Sequence, residues 1–213
     1  SNNKWSLYGA MRAAAQIVSY EIPIGLTLLL VVIVTGSLNL GEIVQWQADH
    51  RWFIIHSPFT FIAFFIYFIS VVAETNRTPF DIPEAESELV AGWMTEYSGF
   101  KWAIFFLSEY ANMLIVSIVA SIVFLGGWLS PLAILNVGIP ENWMFLDGPV
   151  LGFFWVMLKA ILLVFVMMWF RWTFPRLRVD QLMYLCWKVF IPFALANLFF
   201  VSIWELIWSA IAK

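Results

Sequence analysis

Six charged residues crowd into one stretch of an otherwise apolar chain. Between Ala73 and Gly92 lie Glu74, Asp81, Glu84, Glu86 and Glu88, around the single Arg77. The chain has 14 acidic residues in 213, so more than a third of them fall in these twenty positions. Asp81, followed three residues later by Glu84 with Pro83 between, reads as a helix N-terminus with a capping-box pattern. On that helix Glu84 and Glu88 share a face at i and i+4, while Glu86 points elsewhere. Two carboxylates on one face repel, so unless a cation intervenes one of them keeps its proton more tightly than usual. That is the chemistry of a proton-relay group. Arg77 is the nearest candidate counter-charge, with Glu74 three residues before it. The plainer reading stays open: acids in a first turn cap a helix, suit its dipole and solvate a loop.

Other charges stand inside or at the mouths of apolar runs, where they are rare unless paired or facing a wet cavity. Glu109 lies eight residues past Lys101, about 12 Å along a helix. Lys159 lies 12 residues before Arg171, about 18 Å. Such similar depths predict that the two can pair if their helices are neighbours, either to fix packing or to serve a relay. Glu21, at the inner mouth of the first run, is a relay candidate or a solvated end residue. Glu205, near the outer end of the last run, reads as an interfacial acid. His50 and His56 have Asp49 nearby but no matching cluster, so no metal site is expected. There is no phosphate loop or dinucleotide fingerprint. The single Cys186 excludes an internal disulfide and a cysteine-held cluster.

The elements that must hold these groups follow from composition. The chain is 62% hydrophobic and 12% charged, with 13 Trp and 21 Phe. Soluble domains are about half apolar and a quarter charged. This is an integral membrane protein. Five apolar runs, at about 22–40, 53–73, 102–124, 150–170 and 189–209, approach the roughly 20 residues a spanning helix needs. None shows the two-residue alternation of a barrel strand. The predicted fold is all-α, a polytopic transmembrane helix bundle in a single membrane domain, residues 1–213. Residues 1–20 form an amphipathic segment that could lie along the interface or serve as a linker helix. Residues 74–101 form the acidic loop.

Eight of the 11 basic residues, Lys4, Arg12, Arg77, Lys101, Arg171, Arg176, Arg178 and Lys188, fall on one side of these spans. The positive-inside bias places that side, acidic loop included, in the cytoplasm or its organellar equivalent.

The residues also carry a resemblance. Ala73 to Gly92, followed by Thr95-Glu96-Tyr97-Ser98-Gly99 and Glu109-Tyr110, resembles the quinone-site membrane subunit of proton-pumping NADH:quinone oxidoreductase (respiratory complex I), the subunit designated H in bacteria and 1 in mitochondria. Gly9-Ala10-Met11-Arg12-Ala13-Ala14-Ala15-Gln16, Ser19-Tyr20-Glu21, Gly126-Gly127-Trp128 and Pro175-Arg176-Leu177-Arg178-Val179-Asp180-Gln181-Leu182-Met183 are similar to it as well. The matches run in order along essentially the whole chain. The chain is similar to the last five of that family's eight helices, so the first three are expected to lie outside it. Gly92-Trp93-Met94 departs from the family, which usually has an aromatic followed by His there, so no histidine role carries over.

The resemblance implies a subunit without redox centres, covalent cofactor or metal, with ubiquinone or menaquinone as substrate at a subunit interface. Glu21, Glu74, Asp81, Glu84, Glu86, Glu88, Glu109 and Lys159 would relay protons. Arg12, Arg77, Arg176, Arg178 and Asp180 would surround the quinone chamber. Implied partners are hydrophilic iron–sulfur and quinone-site subunits, small membrane subunits, antiporter-like subunits and the bilayer, with no nucleic acid. The implied location is the bacterial cytoplasmic membrane, an organellar inner membrane being the alternative. A homologous anchor subunit of a membrane-bound hydrogenase or other-donor quinone reductase would share these residues. A secondary cation/proton antiporter would also carry intramembrane Glu and Lys, but inverted repeats and broken helices would be expected with them. A purely structural scaffold leaves the density of acids without a reason.

Overall fold

A computed structural model describes residues 3–81, 97–131 and 149–211, and no strand occurs among them. The helices are α1 (Lys4–Thr35), α2 (Leu40–Asp49), α3 (Phe53–His56), α4 (Pro58–Glu74), α5 (Gly99–Phe124), α6 (Pro149–Thr173), α7 (Val179–Tyr184) and α8 (Ile191–Ile211). Four helical stretches, Lys4–Thr35, Gly99–Phe124, Val150–Thr173 and Val179–Trp208, are long and apolar enough to cross a bilayer, and α4 is a shorter apolar helix. The all-α membrane bundle expected from the apolar runs is the observed class.

The shortest of these apolar helices is the centre. α4 packs against α1, α3, α5 and α8. Ala63, Phe64, Tyr67, Phe68, Ser70, Val71, Val72 and Ala73 are all buried on it. A helix apolar all round belongs in an interior, and α4 leaves only its first half open, at Phe61, Ile62 and Phe65. α6, by contrast, leaves Phe153, Ile161, Phe165 and Trp169 exposed along its length. The run expected from Phe53 is broken at Ser57, whose extended backbone (φ −146, ψ 158) precedes Pro58. The residue before proline is driven out of the α region. Ser57 and Thr60 then close a reciprocal capping box, with Thr60 N–H donating to Ser57 Oγ at 3.2 Å and Ser57 N–H to Thr60 Oγ1 at 3.0 Å.

Two prolines shape the α1–α8 contact. Pro23 lies inside α1 and has no N–H to give the carbonyl of Ser19. That carbonyl takes the Cys186 thiol instead, at 2.9 Å, while Trp187 Nε1 donates to Ser19 Oγ at 3.2 Å. Pro192 likewise leaves Lys188 O without its i+4 donor. Just before it, Leu185–Phe190 widens into a π-helical turn in which Ile191 N–H reaches Cys186 O. A π turn shifts the ladder by one residue, and the shift presents Cys186 and Trp187 to α1. α1 itself ends at Gly36, whose φ of 71° is the left-handed cap that glycine supplies.

At the outer corner, α2 begins on an Asn39 cap and meets the end of α5. Gln47 Nε2 donates to Ile122 O (3.0 Å) and Val123 O (3.2 Å), and Gln47 Oε1 accepts from Gly126 N–H (3.0 Å). Gly126 and Gly127 have φ of 73° and 51°. A Cβ on Gly126 would stand 2.5 Å from the Trp52 indole nitrogen, and one on Gly127 would stand 2.9 Å from Val44. Only glycine fits either place.

Candidate functional site

The inner end of α4 gathers the polar residues. Gln16, wholly buried on α1, donates from Nε2 to Ala73 O at 2.6 Å and to Phe80 O at 2.8 Å. One side chain thus fixes the end of α4 and the segment that follows it. Glu74, one residue past the apolar run 53–73, lines a cleft of about 360 Å³ together with Thr75, Asn76, Ser108, Glu109 and Asn112. The two carboxylates that sequence placed 35 positions apart therefore share one polar cleft between α4 and α5. Burial, and then the like charge of Glu21, hold the Glu74 carboxyl above the usual carboxylate range. Glu21 is exposed on α1, five residues beyond Gln16. Asn76 lies in the left-handed region (φ 52°), its N–H held by Ala73 O at 3.2 Å. Its Oδ1 is buried without a hydrogen-bond partner.

Arg77 is turned toward α5. It is 8% exposed; its Nε meets Met113 Sδ at 3.1 Å, and its guanidinium lies 4.3 Å from the Tyr110 ring centroid. The reason is geometric. The turn after α4 aims Arg77 at α5, and Glu74 at the polar cleft beside it.

The segment after Arg77 is tied to the loop before α7. Leu177 N–H donates to Pro79 O at 3.0 Å, and Arg176 donates to the backbone carbonyl of Asp81. Asp81 is half-buried and Arg176 exposed. Arg178 and Asp180 are exposed at the start of α7, where Arg178 N–H donates to Gln181 Oε1 at 3.3 Å. Arg12 is half-buried one turn before Gln16, on the same face of α1. Glu84, Glu86, Glu88 and Trp93 lie outside the described residues.

The expected pairing of Glu109 with Lys159 is overturned. Lys159 is 6% exposed and its ammonium donates to Leu125 O (2.7 Å), Gly127 O (2.8 Å) and Leu129 O (2.7 Å). It also lies 4.1 Å from the Trp52 ring centroid. Leu125 is 16 residues along the chain from Glu109, about 24 Å of helix. The depth comparison failed because α5 reaches well past the inner end of α6, so that Lys101 and Arg171 do not mark one level. Glu205 has a partner in His56, whose Nε2 is 3.2 Å from Glu205 Oε1.

On another flank of α4, an apolar cleft of about 630 Å³ runs between α4 and α6. Phe64, Phe68, Leu163 and Phe170 line its length, and Phe80 and Leu177 lie at its inner end. Sequence alone signalled neither this cleft nor the structural role of Gln16. A glutamine in an otherwise apolar stretch was the available sign of the latter. Among the described residues, no group of three or more His, Cys, Asp or Glu is placed to hold a metal.

The sequence profile described as NADH dehydrogenase matches residues 1–202. A protein of Chlorobaculum tepidum, named as the H subunit of NADH-quinone oxidoreductase, is 55% identical over 208 residues, 96% of this chain and 57% of the relative. Proteins with the same name are 54% identical in a Geobacillus species (95% of this chain, 56% of the relative) and 48% in Bacteroides thetaiotaomicron (95% and 55%). The chain spans a little over half the length of the curated relatives it matches.

Proposed function

The chain belongs to the NADH dehydrogenase family, and from that premise we propose that it is the quinone-side membrane subunit of a proton-translocating NADH:quinone oxidoreductase. On this reading it forms one membrane domain of about five spans, in the cytoplasmic membrane of a bacterium. It carries no redox centre of its own. Iron–sulfur and quinone-site subunits of a peripheral arm sit on its inner face, and small membrane subunits and antiporter-like subunits flank it in the bilayer. The observation that carries the reading is the inner end of α4, where Ile69 and Val72 line the apolar cleft while Glu74 and Asn76 line the polar one. An apolar cleft of about 630 Å³ suits the tail of a quinone. A carboxyl that holds its proton unusually tightly, lining one cleft with a second carboxylate, suits proton transfer.

In this proposal Glu21, Glu74 and Glu109 continue inward from the acidic loop of Asp81, Glu84, Glu86 and Glu88. Arg12, Arg77, Arg176, Arg178 and Asp180 surround the chamber mouth. Lys159, with its ammonium on three carbonyls at the outer end of α5, anchors the bundle. Purification of the full-length protein from its membrane, with mass spectrometry of what comes with it, tests the assignment. NADH-binding and iron–sulfur subunits are expected; hydrogenase subunits or an isolated homo-oligomer would contradict it. Glu84→Gln and Glu88→Gln are each expected to remove most quinone reduction or proton uptake from a complex that still assembles. Normal turnover and uptake in both would leave the two residues a capping role alone.

A further inference from the structure

We propose that Gln16 is a positioning residue for Glu74: it pins the turn that carries this carboxyl and so holds it in the polar cleft. The inference rests on the relay reading of Glu74 and Glu109, and it adds a residue that does not itself titrate. Gln16 is 1% exposed on α1. Its Nε2 donates to Ala73 O at 2.6 Å and to Phe80 O at 2.8 Å. Both acceptors are carbonyls, so the amide nitrogen must face them, and both of its hydrogens are used. The residues between the two acceptors include Glu74, Asn76 and Arg77. One amide thus closes the whole turn from which Glu74 reaches the cleft. Tyr20, one turn further along the same face of α1, packs its ring 6.0 Å from that of Phe80. The far end of the turn is therefore held twice.

What the pin secures is the environment of the carboxyl. Burial, and then the charge of Glu21, hold Glu74 above the usual carboxylate range. Among the described residues, its titratable neighbours include Glu21 from α1, Glu109 from α5 and Tyr67 two turns earlier on α4. Arg77 turns instead to the Tyr110 ring. Gln16 and Glu21 stand on one helix, so the bond from Gln16 to Ala73 also sets how near Glu21 comes to Glu74. A proton-transfer group works only when held within reach of its partner, and residues behind it must do the holding. The turn itself survives without the amide. Thr75 N–H donates to Val71 O at 3.0 Å, Asn76 N–H to Ala73 O at 3.2 Å and Leu177 N–H to Pro79 O at 3.0 Å. Removing the amide therefore loosens the carboxyl without unmaking the fold.

Titrating the Glu74 carboxyl in the assembled full-length complex is the test. Its protonated form is read as the carbonyl-stretch infrared band that is missing from Glu74→Gln. Gln16→Met keeps the length of the side chain and removes both donors. The turn then loosens, Glu74 gains water and moves away from Glu21, and both causes that hold its proton weaken. In Gln16→Met the band is expected to vanish at a lower pH than in wild type. NADH-driven quinone reduction is expected to fall roughly tenfold, the equivalent of about one lost hydrogen bond. A merely structural role lowers the amount of complex and leaves the titration in place. An unmoved titration in assembled Gln16→Met would overturn the proposal and keep the relay. Wild-type turnover in Glu74→Gln would instead remove the relay reading, and the proposal with it. If Gln16→Met does not assemble, Gln16→Glu decides, because it keeps the shape and makes the donor itself titratable. Its carboxyl offers one hydrogen to a carbonyl when protonated and none when ionised. Turnover of Gln16→Glu, relative to wild type, is therefore expected to fall as the pH rises. A wild-type pH profile in Gln16→Glu, or failure of both variants to assemble, would overturn the proposal.

Discussion

At the scale of single residues, the structure separates charges that sequence grouped together. Lys159 reads in the sequence as a partner for Glu109, yet its three donors go to the carbonyls of Leu125, Gly127 and Leu129. Carbonyls left without donors at a buried helix end are costly. Lys159→Met is therefore expected to destabilise the assembled subunit by about 3 kcal/mol, within the range for losing charge-assisted hydrogen bonds. Thermal unfolding of the detergent-solubilised complex measures this. A transition unchanged from wild type would show that the ammonium contributes nothing net. Arg77 meets the Tyr110 ring and Met113 on α5. Arg77→Ala is expected to cost about 2 kcal/mol, as for a desolvated cation–π contact. Arg51→Ala, in an exposed outer position, should stay within about 0.5 kcal/mol. The level of assembled complex in membranes compares them, and equal tolerance would contradict the packing described for Arg77.

At the scale of elements, the apolar runs were legible because a spanning helix announces itself by length and hydropathy. The junctions were less so. α1 continues through Glu21 and Pro23 to Thr35, because the carbonyl that Pro23 leaves behind finds the Cys186 thiol 167 positions away. No local pattern encodes such a bond. α2 was not foreseen, although Asn39 followed three residues later by Glu42 has capping-box form, and the two side chains do meet at 3.3 Å. The polar cleft was half legible. Glu74 and Glu109 stood out as charges in apolar surroundings, whereas Asn76 and Asn112 are neutral and took their significance only from sharing the cleft. The glycine corner after α5 carries its own test. Gly126→Ala puts a side chain on a left-handed residue, at about 1–2 kcal/mol, and drives a Cβ into the Trp52 indole. Loss of assembled subunit is expected, by immunoblot of membranes. A fully assembled Gly126→Ala complex would contradict the geometry of that corner.

At the scale of the whole molecule, the basic residues predict the orientation. The Arg171–Lys188 side carries Arg171, Arg176, Arg178 and Lys188, while Leu38 lies at the other ends of the helices. The one thiol in this sequence, Cys186, is buried, so within it an engineered cysteine reports alone. Leu38 is 82% and Trp172 86% exposed. Leu38→Cys is expected to react with an impermeant maleimide from outside the cell, and Trp172→Cys only after the membrane is opened. The reverse pattern would invert the molecule and place the acidic loop outside. With the orientation fixed, the central claim is that quinone reduction is coupled to proton movement through Glu74. Its most direct test is proton pumping by the purified full-length complex in proteoliposomes, with NADH and quinone supplied. In Glu74→Gln the account expects an intact complex whose quinone reduction and proton pumping are both severely reduced. An assembled Glu74→Gln complex that pumps protons at the wild-type rate would contradict it.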